Sequence, residues 1–299
     1  MTKSWQSLNE RSNPLALKLI RWIALNLGRP VARLLFYPIT FYFLVFASEQ
    51  RKASRLYLNR VLGRKVNYLD IAKHIHSFAS TILDRVYLLT AQFEKLDVQF
   101  PKENMPLKFS QQGRGCILLG SHIGSFEVLR SYAVRKCPLP IKILMYEGHN
   151  PNIMKVLNAL NPDLSDMIIP LGDPDSLLQV KDAVDSGKVV GMMGDRIGEM
   201  DGHKTALCSL LGNEIELPAA PILIASALKV PVVIFFGIYL GGNRYKIHFE
   251  LLSEEITLNR KSRQKDLQKY LQDYANIMEA QIKKAPFNWF NFYDYWREN

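Results

Sequence analysis

The apolar residues of this chain fall into two patterns that meet near residue 110. Before it they recur at helical spacing, and after it they form short runs separated by helical stretches. Residues 15–47, LALKLIRWIALNLGRPVARLLFYPITFYFLVFA, are the most lipophilic part of the chain. The uncharged run Leu34 to Ser48 has 15 residues, short of the roughly 20 that span hydrocarbon. Arg21, Arg29 and Arg33 lie on its N-terminal side, and Trp22, Tyr37 and Tyr42 are aromatics of the kind that favour a lipid–water boundary. The pattern predicts a helical hairpin or tilted helix that dips into a bilayer from the cytoplasmic side, with a buried helix pair as the alternative. Next, EQRKASRLYLNRVLGR predicts a strongly basic helix ended by Gly63. Ile71, Ile75, Phe78, Ile82 and Val86 then sit at i, i+4 and i+3 intervals and predict an amphipathic helix.

From residue 115 strands and helices alternate. Strands are predicted at Cys116–Gly120, Ile141–Met145, Met167–Leu171, Val189–Met193, Pro231–Ile238 and Tyr245–Leu252. Helices are predicted at Phe126–Arg135, Asn152–Leu160, Asp175–Asp185, Pro218–Leu228 and 261–284. Apolar runs alternating with helices of about ten residues imply an α/β fold, with a mainly parallel sheet covered by helices on both faces. The expected division is a helical, membrane-associated region over 1–110 and an α/β domain over 111–299.

Charge sharpens this division. The formal net charge is +10. Residues 1–110 hold 17 Lys and Arg against 7 Asp and Glu, and the rest of the chain is balanced at 21 of each. The basic excess therefore coincides with the lipophilic segment, which favours an anionic membrane surface. Nucleic acid is not expected, because the charges interleave with lipophilic residues and no groove-reading motif is present. The three scattered cysteines, Cys116, Cys137 and Cys208, suit a reducing compartment and form no metal-type spacing. His74 and His76 lie two apart on a helix and so point to different faces. His149 and His203 read as loop residues. No metal or cofactor is expected.

The chemistry concentrates in GSHIGSFEVLR, residues 120–130, which follows the apolar strand CILL and opens a helix. His122 stands at a strand end, where open α/β sheets place their sites. Gly120 and Gly124 allow a tight turn. Glu127 falls in the first turn of the helix, where its carboxylate could fold back onto the imidazole, fix the tautomer and stabilise an imidazolium. Such a pair can activate a hydroxyl toward a carbonyl. No Gly-x-Ser-x-Gly elbow is present, so direct attack by a bound acceptor is simpler than an acyl-enzyme.

The strand–GSHxGxxE–helix unit resembles the His-x4-Asp/Glu motif of glycerolipid acyltransferases. The whole chain is similar to the bacterial lipid A biosynthesis acyltransferase family. His122 to Glu127, Gly194-Asp195-Arg196-Ile197-Gly198, Leu211-Gly212, Leu217-Pro218-Ala219-Ala220-Pro221 and the aromatic C-terminus carry the likeness in order. The resemblance implies His122 as general base, Glu127 as the residue that orients it, and a substrate-binding set of Asp195, Arg196, Gly124 and Ser125. A backbone N–H near Gly124, or Arg196, would face the oxyanion. It also implies an acyl carrier protein or coenzyme A thioester as donor and a lipid or glycolipid hydroxyl as acceptor. The inner membrane's cytoplasmic face would be the location. The ending PFNWFNFYDYWREN has one arginine where family members usually have several, as in a divergent branch similar to aryl-polyene-pathway acyltransferases. A non-catalytic lipid-binding or scaffold protein of the same fold is the alternative.

Overall fold

Three apolar strands, CILLGSHIG, VVGMM and VVIFFGIYLG, form the centre of the molecule because nothing in them needs water until the strands end. In the computed structural model, which describes residues 22–90, 92–135, 139–145, 166–198 and 204–296, they are β2 (Cys116–Gly124), β5 (Val189–Met193) and β8 (Val232–Gly241). With β1 (Asp97–Gln99), β3 (Ile141–Met145), β4 (Ile168–Pro170) and β9 (Arg244–Ser253) they make a seven-stranded sheet of order β1-β9-β8-β2-β5-β3-β4. β8, β2, β5, β3 and β4 are parallel, and β9 runs against β8 with β1 beside it. The α/β class and the mainly parallel sheet follow the sequence expectation. The predicted helix Asn152–Leu160, His149, His203 and Cys137 lie outside the described residues.

Period-two alternation gives the sheet two apolar faces. Ile117, Leu119 and Ile123 of β2 join Val190, Val232 and Ile234 in one core, together with Leu271, Tyr274 and Met278 of α9 (Arg263–Lys284). Cys116 and Leu118 join Val189, Val233 and Phe235 in the other, with Val128 and Leu129 of α6 (Phe126–Arg135). α4 (Tyr68–Leu89) serves both: Ile71 and Ile75 enter the first core, Leu83, Val86 and Tyr87 the second. Its start is closed by a capping box in which the Asn67 side chain accepts from the Asp70 N–H and Asp70 accepts from the Asn67 N–H. The basic helix α3 (Ser48–Leu62) ends where Gly63 takes a left-handed φ of 61°.

Within the lipophilic segment, residues 28–46 form α1 (Gly28–Leu34) and α2 (Phe36–Phe46). They join at Leu35, where Pro38 has no N–H to offer the Leu34 carbonyl. Gly28–Phe46 is 19 residues long, enough by length and composition to cross a membrane. One face, with Ala32, Phe36 and Thr40, is buried, and α2 packs along α4. Leu27, Val31, Leu34, Tyr37, Phe41 and Val45, at helical spacing, form an exposed apolar stripe on the other face, with Leu34 at 64% and Phe41 at 66% exposure. The helix is clamped to α4 by Arg29, which donates from Nε and Nη2 to both oxygens of the buried Asp84 at 2.7 and 2.8 Å.

Two elements carried too little signal to be predicted. β1 is three residues long. β6 (Thr205–Leu210) and β7 (Asn213–Pro218) form an antiparallel hairpin against α9. Its turn is Leu211-Gly212, with φ of 52° and 75°. Two-residue hairpin turns of this kind ordinarily announce themselves by Asn-Gly or Asp-Gly. Here a leucine takes the left-handed position, and Glu279 accepts its N–H at 2.5 Å.

Candidate active site

β2 and β5 lie side by side and in parallel, with Gly120 opposite Met193. The chain leaves β2 toward β3 on one side of β5, and after β5 returns to β8 on the other side of β2. Two adjacent strands whose continuations diverge leave a crevice at their C-terminal ends. His122 and Asp195 project at this crevice.

His122 owes its position to a bulge. Between Gly120 and Gly124 on β2, the partner β8 advances only from Phe235 to Gly237. The surplus residues lift the strand out of register, a device that re-aims a side chain. Two glycines permit the return to β8: a Cβ on Gly124 would lie 2.0 Å from the Gly237 oxygen, and one on Gly237 2.1 Å from the Ser125 oxygen. Gly124 also has a φ of 76°.

The imidazole Nδ1 of His122 meets Asp195 Oδ1 at 2.7 Å, and the His122 backbone N–H donates to Oδ2 at 2.9 Å. The Trp289 indole N–H donates to the same Oδ2 at 3.2 Å. The Tyr295 hydroxyl donates to the Asp195 carbonyl at 2.6 Å. Asp195 is fully buried, while the His122 side chain keeps 32% exposure. Burial alone would raise the Asp195 carboxyl. The His122 charge and hydrogen bond, then Arg196 and the His122 N–H, outweigh it and hold the group at about 2. Burial first, then the Arg196 charge, pull His122 below its ordinary value against the opposing pull of Asp195. The pair is therefore an ionised carboxylate and a neutral imidazole. With the ring proton on Nδ1 toward Asp195, Nε2 is left as a base.

A strap formed by the C-terminal segment closes the site from above. Gly124 N–H donates to the Asn288 carbonyl at 2.8 Å and Phe290 N–H to the His122 carbonyl at 2.9 Å, so the strap pairs antiparallel with the bulged end of β2. Arg196 is pinned to it, from Nε to Asn291 Oδ1 at 2.9 Å and from Nη2 to the Phe290 carbonyl at 3.0 Å. The strap is held in turn by α4. His74, fully buried, lies between the Ser54 hydroxyl at 2.8 Å and the Trp289 carbonyl at 2.9 Å. Burial lowers its pKa to about 4 despite the Trp289 bond. His76 faces away and packs against Phe36 and Tyr37.

The geometry corrects three expectations. The carboxylate on the imidazole Nδ1 is Asp195, not Glu127. Glu127 does stand in the first turn of α6, but Nδ1 is directed across to the neighbouring strand end. Asp195, expected among substrate-binding residues, has no exposed surface to offer a substrate. The N–H groups of Gly124 and Ser125 are not free for an oxyanion, since Asn288 and Gly237 carbonyls accept them. Ser125 is buried at 2% exposure. His122, Asp195 and Arg196 are brought together as a group. Trp289, Asn291 and Tyr295 complete it and were missed, although the dense aromatic ending was the available signal.

A carboxylate–imidazole pair at a strand-end crevice has the chemistry of a general acid–base couple. The pattern of bacterial lipid A biosynthesis acyltransferases matches residues 5–298, and the chain belongs to that family. Its members are acyltransferases that act on lipid, and this chain is an enzyme of that class. No curated protein matches the chain.

Proposed function

We propose that this enzyme moves a fatty acyl group from an acyl carrier protein or coenzyme A thioester to a hydroxyl of a lipid or glycolipid, with His122 as general base. The observation that carries the reading is the 2.7 Å contact between His122 Nδ1 and the ionised Asp195. His122 Nε2 takes the proton of the acceptor hydroxyl as its oxygen attacks the thioester carbonyl. Asp195 stabilises the imidazolium. Arg196, fixed by Asn291 and Phe290, faces the oxyanion. The tetrahedral adduct then expels the thiolate, which takes the proton back from the imidazolium, leaving an ester, a thiol and neutral His122. Glu127, at the N-terminus of α6, adds negative charge beside the cationic intermediate.

The helical region 1–110 is the membrane-associated part in this reading, and 111–299 carries the transfer. α1 and α2 lie in the cytoplasmic face of the inner membrane and do not cross it. In support, one side of the helix packs on α4 while the other is an exposed apolar stripe. The basic excess of the N-terminal region suits an anionic leaflet or an acidic carrier protein.

The test is turnover by purified protein. His122→Ala should lower transfer by about 10²–10⁴-fold. Asp195→Asn should lower it on the order of 10³-fold, because the wrong tautomer is then favoured, and Glu127→Gln should cost less than Asp195→Asn. Transfer by His122→Ala within a few-fold of the unmodified protein would overturn the assignment. A larger loss in Glu127→Gln than in Asp195→Asn would return the orienting part to Glu127.

A further inference from the structure

One cation that faces the site is left over by the pairings above. Arg85 lies on α4, eleven residues after His74 and seven after Phe78. At about 100° per residue these three positions fall within about 40° of one another on the helix, so they share one stripe. His74 reaches the Trp289 carbonyl, and the Phe78 ring meets Phe290 at 5.4 Å and Phe292 at 5.3 Å. Phe290 in turn bonds the His122 carbonyl. Arg85 prolongs the same stripe along the end of α4 that packs on α6, the helix that begins four residues after His122. Its charge reaches the imidazole, since it is among the groups that pull His122 down, after burial and Arg196.

Neighbouring arginines have partners. Arg29 forks onto Asp84, Arg64 onto Asp70, and Arg196 onto Asn291. Arg85 makes no hydrogen bond or ion pair among the described residues, and its Nε is shut off from solvent without an acceptor. A half-buried guanidinium with a shielded, unsatisfied donor is costly unless an anion completes it. A guanidinium fork matches the oxygens of a phosphate, and both partners of the proposed transfer can bring one. The donor carries phosphate esters along its phosphopantetheine arm. The acceptor can carry one on its headgroup.

We propose that Arg85 is a substrate-binding residue that holds a phosphate ester of one substrate beside His122; this rests on the acyl-transfer reading above. The measurement is calorimetric titration of the full-length protein in detergent with coenzyme A, with lysophosphatidic acid, and with monoacylglycerol as the phosphate-free control. Arg85→Gln and Arg85→Lys are compared with the unmodified chain, and melting temperatures are recorded on the same preparations. The expected result is a dissociation constant for one phosphate-bearing probe raised at least about tenfold in Arg85→Gln, the scale of a lost charge-assisted hydrogen bond. Arg85→Lys should recover part of it, and the control should not move. A loss confined to coenzyme A assigns the phosphate to the donor, and a loss confined to lysophosphatidic acid assigns it to the acceptor. Unchanged constants, no binding of either phosphate probe by the unmodified protein, or an equal loss for monoacylglycerol would overturn the proposal. A lower melting temperature with unchanged binding overturns it too, and makes Arg85 a structural cation. The two readings fail separately: if Arg85→Gln loses phosphate binding while His122→Ala keeps transfer, the phosphate site stands and the His122 mechanism falls.

Discussion

The end of β2 and the helix pair α1–α2 solve opposite problems with opposite residues. At the end of β2 a carboxylate, Asp195, is buried completely and surrounded by donors from His122 and Trp289. On α1–α2 it is phenylalanine, leucine and valine that are left uncovered, while the nearby arginines Arg29 and Arg33 turn inward to Asp84 and to the Gly242 carbonyl. A buried ion is tolerable only when each oxygen is satisfied, and an exposed apolar stripe only when something other than water covers it. The contrast teaches that burial alone does not identify function in this molecule. The informative positions are those where polarity and burial disagree, and these two regions hold clear examples of each kind.

The comparison predicts that the regions separate experimentally. Replacing Leu34, Phe41 and Val45 together by serine should reduce liposome binding on the order of 10³-fold or more, because each side chain contributes about 1.5–3 kcal/mol when its apolar surface leaves water. Turnover on detergent-dispersed substrate should change little. Liposome flotation and initial rate on one preparation check this, and unaltered flotation would remove the membrane role of the stripe.

Acid should act on the other region first. The folded pKa of His74, about 4, lies below its ordinary 6.5. Between those values the unfolded chain binds the extra proton, so stability is complete above pH 6.5 and falls as pH drops toward 4. The loss is on the order of 3 kcal/mol. Asp195, held at about 2 against an ordinary 3.8, adds a loss only at lower pH, from 3.8 down through 2. Melting temperature against pH for the unmodified chain and His74→Gln checks the assignment. The variant should show a shallower slope between pH 6.5 and 4, the remainder belonging to His122 and His76, which are also held below their ordinary value; an undiminished slope would clear His74 of the assignment.

The smallest effect tests the strap. Trp289→Phe keeps the ring in its fully buried place but deletes the donor to Asp195. Turnover should fall about tenfold, the scale of one hydrogen bond to a charged group. The acidic limb of the rate–pH profile should shift as well, because the carboxylate that tunes His122 has lost a partner. A lower melting temperature with the profile unmoved would make Trp289 a packing residue only.

Much of this protein is written locally. Continuous apolar runs place β2, β5 and β8, and the glycines around His122 announce the turn at its strand end. Gly63 marks the end of α3, and the lipophilic run marks α1–α2. Each of these depends on residues within a few positions of one another, so local sterics and local burial suffice to decide them. The partner of His122 is of another kind. Glu127 is five residues away and invites the pairing, yet Asp195, 73 residues away, makes it. Trp289 and Asn291 come from some 95 residues beyond Asp195 and Arg196 to complete the group. These contacts exist because β5 inserts beside β2 and because the chain's end pairs with a bulge. Strand order and strap docking are settled by how all the apolar faces are buried together. No short stretch of sequence carries that information, so only the tertiary structure could choose between the two carboxylates.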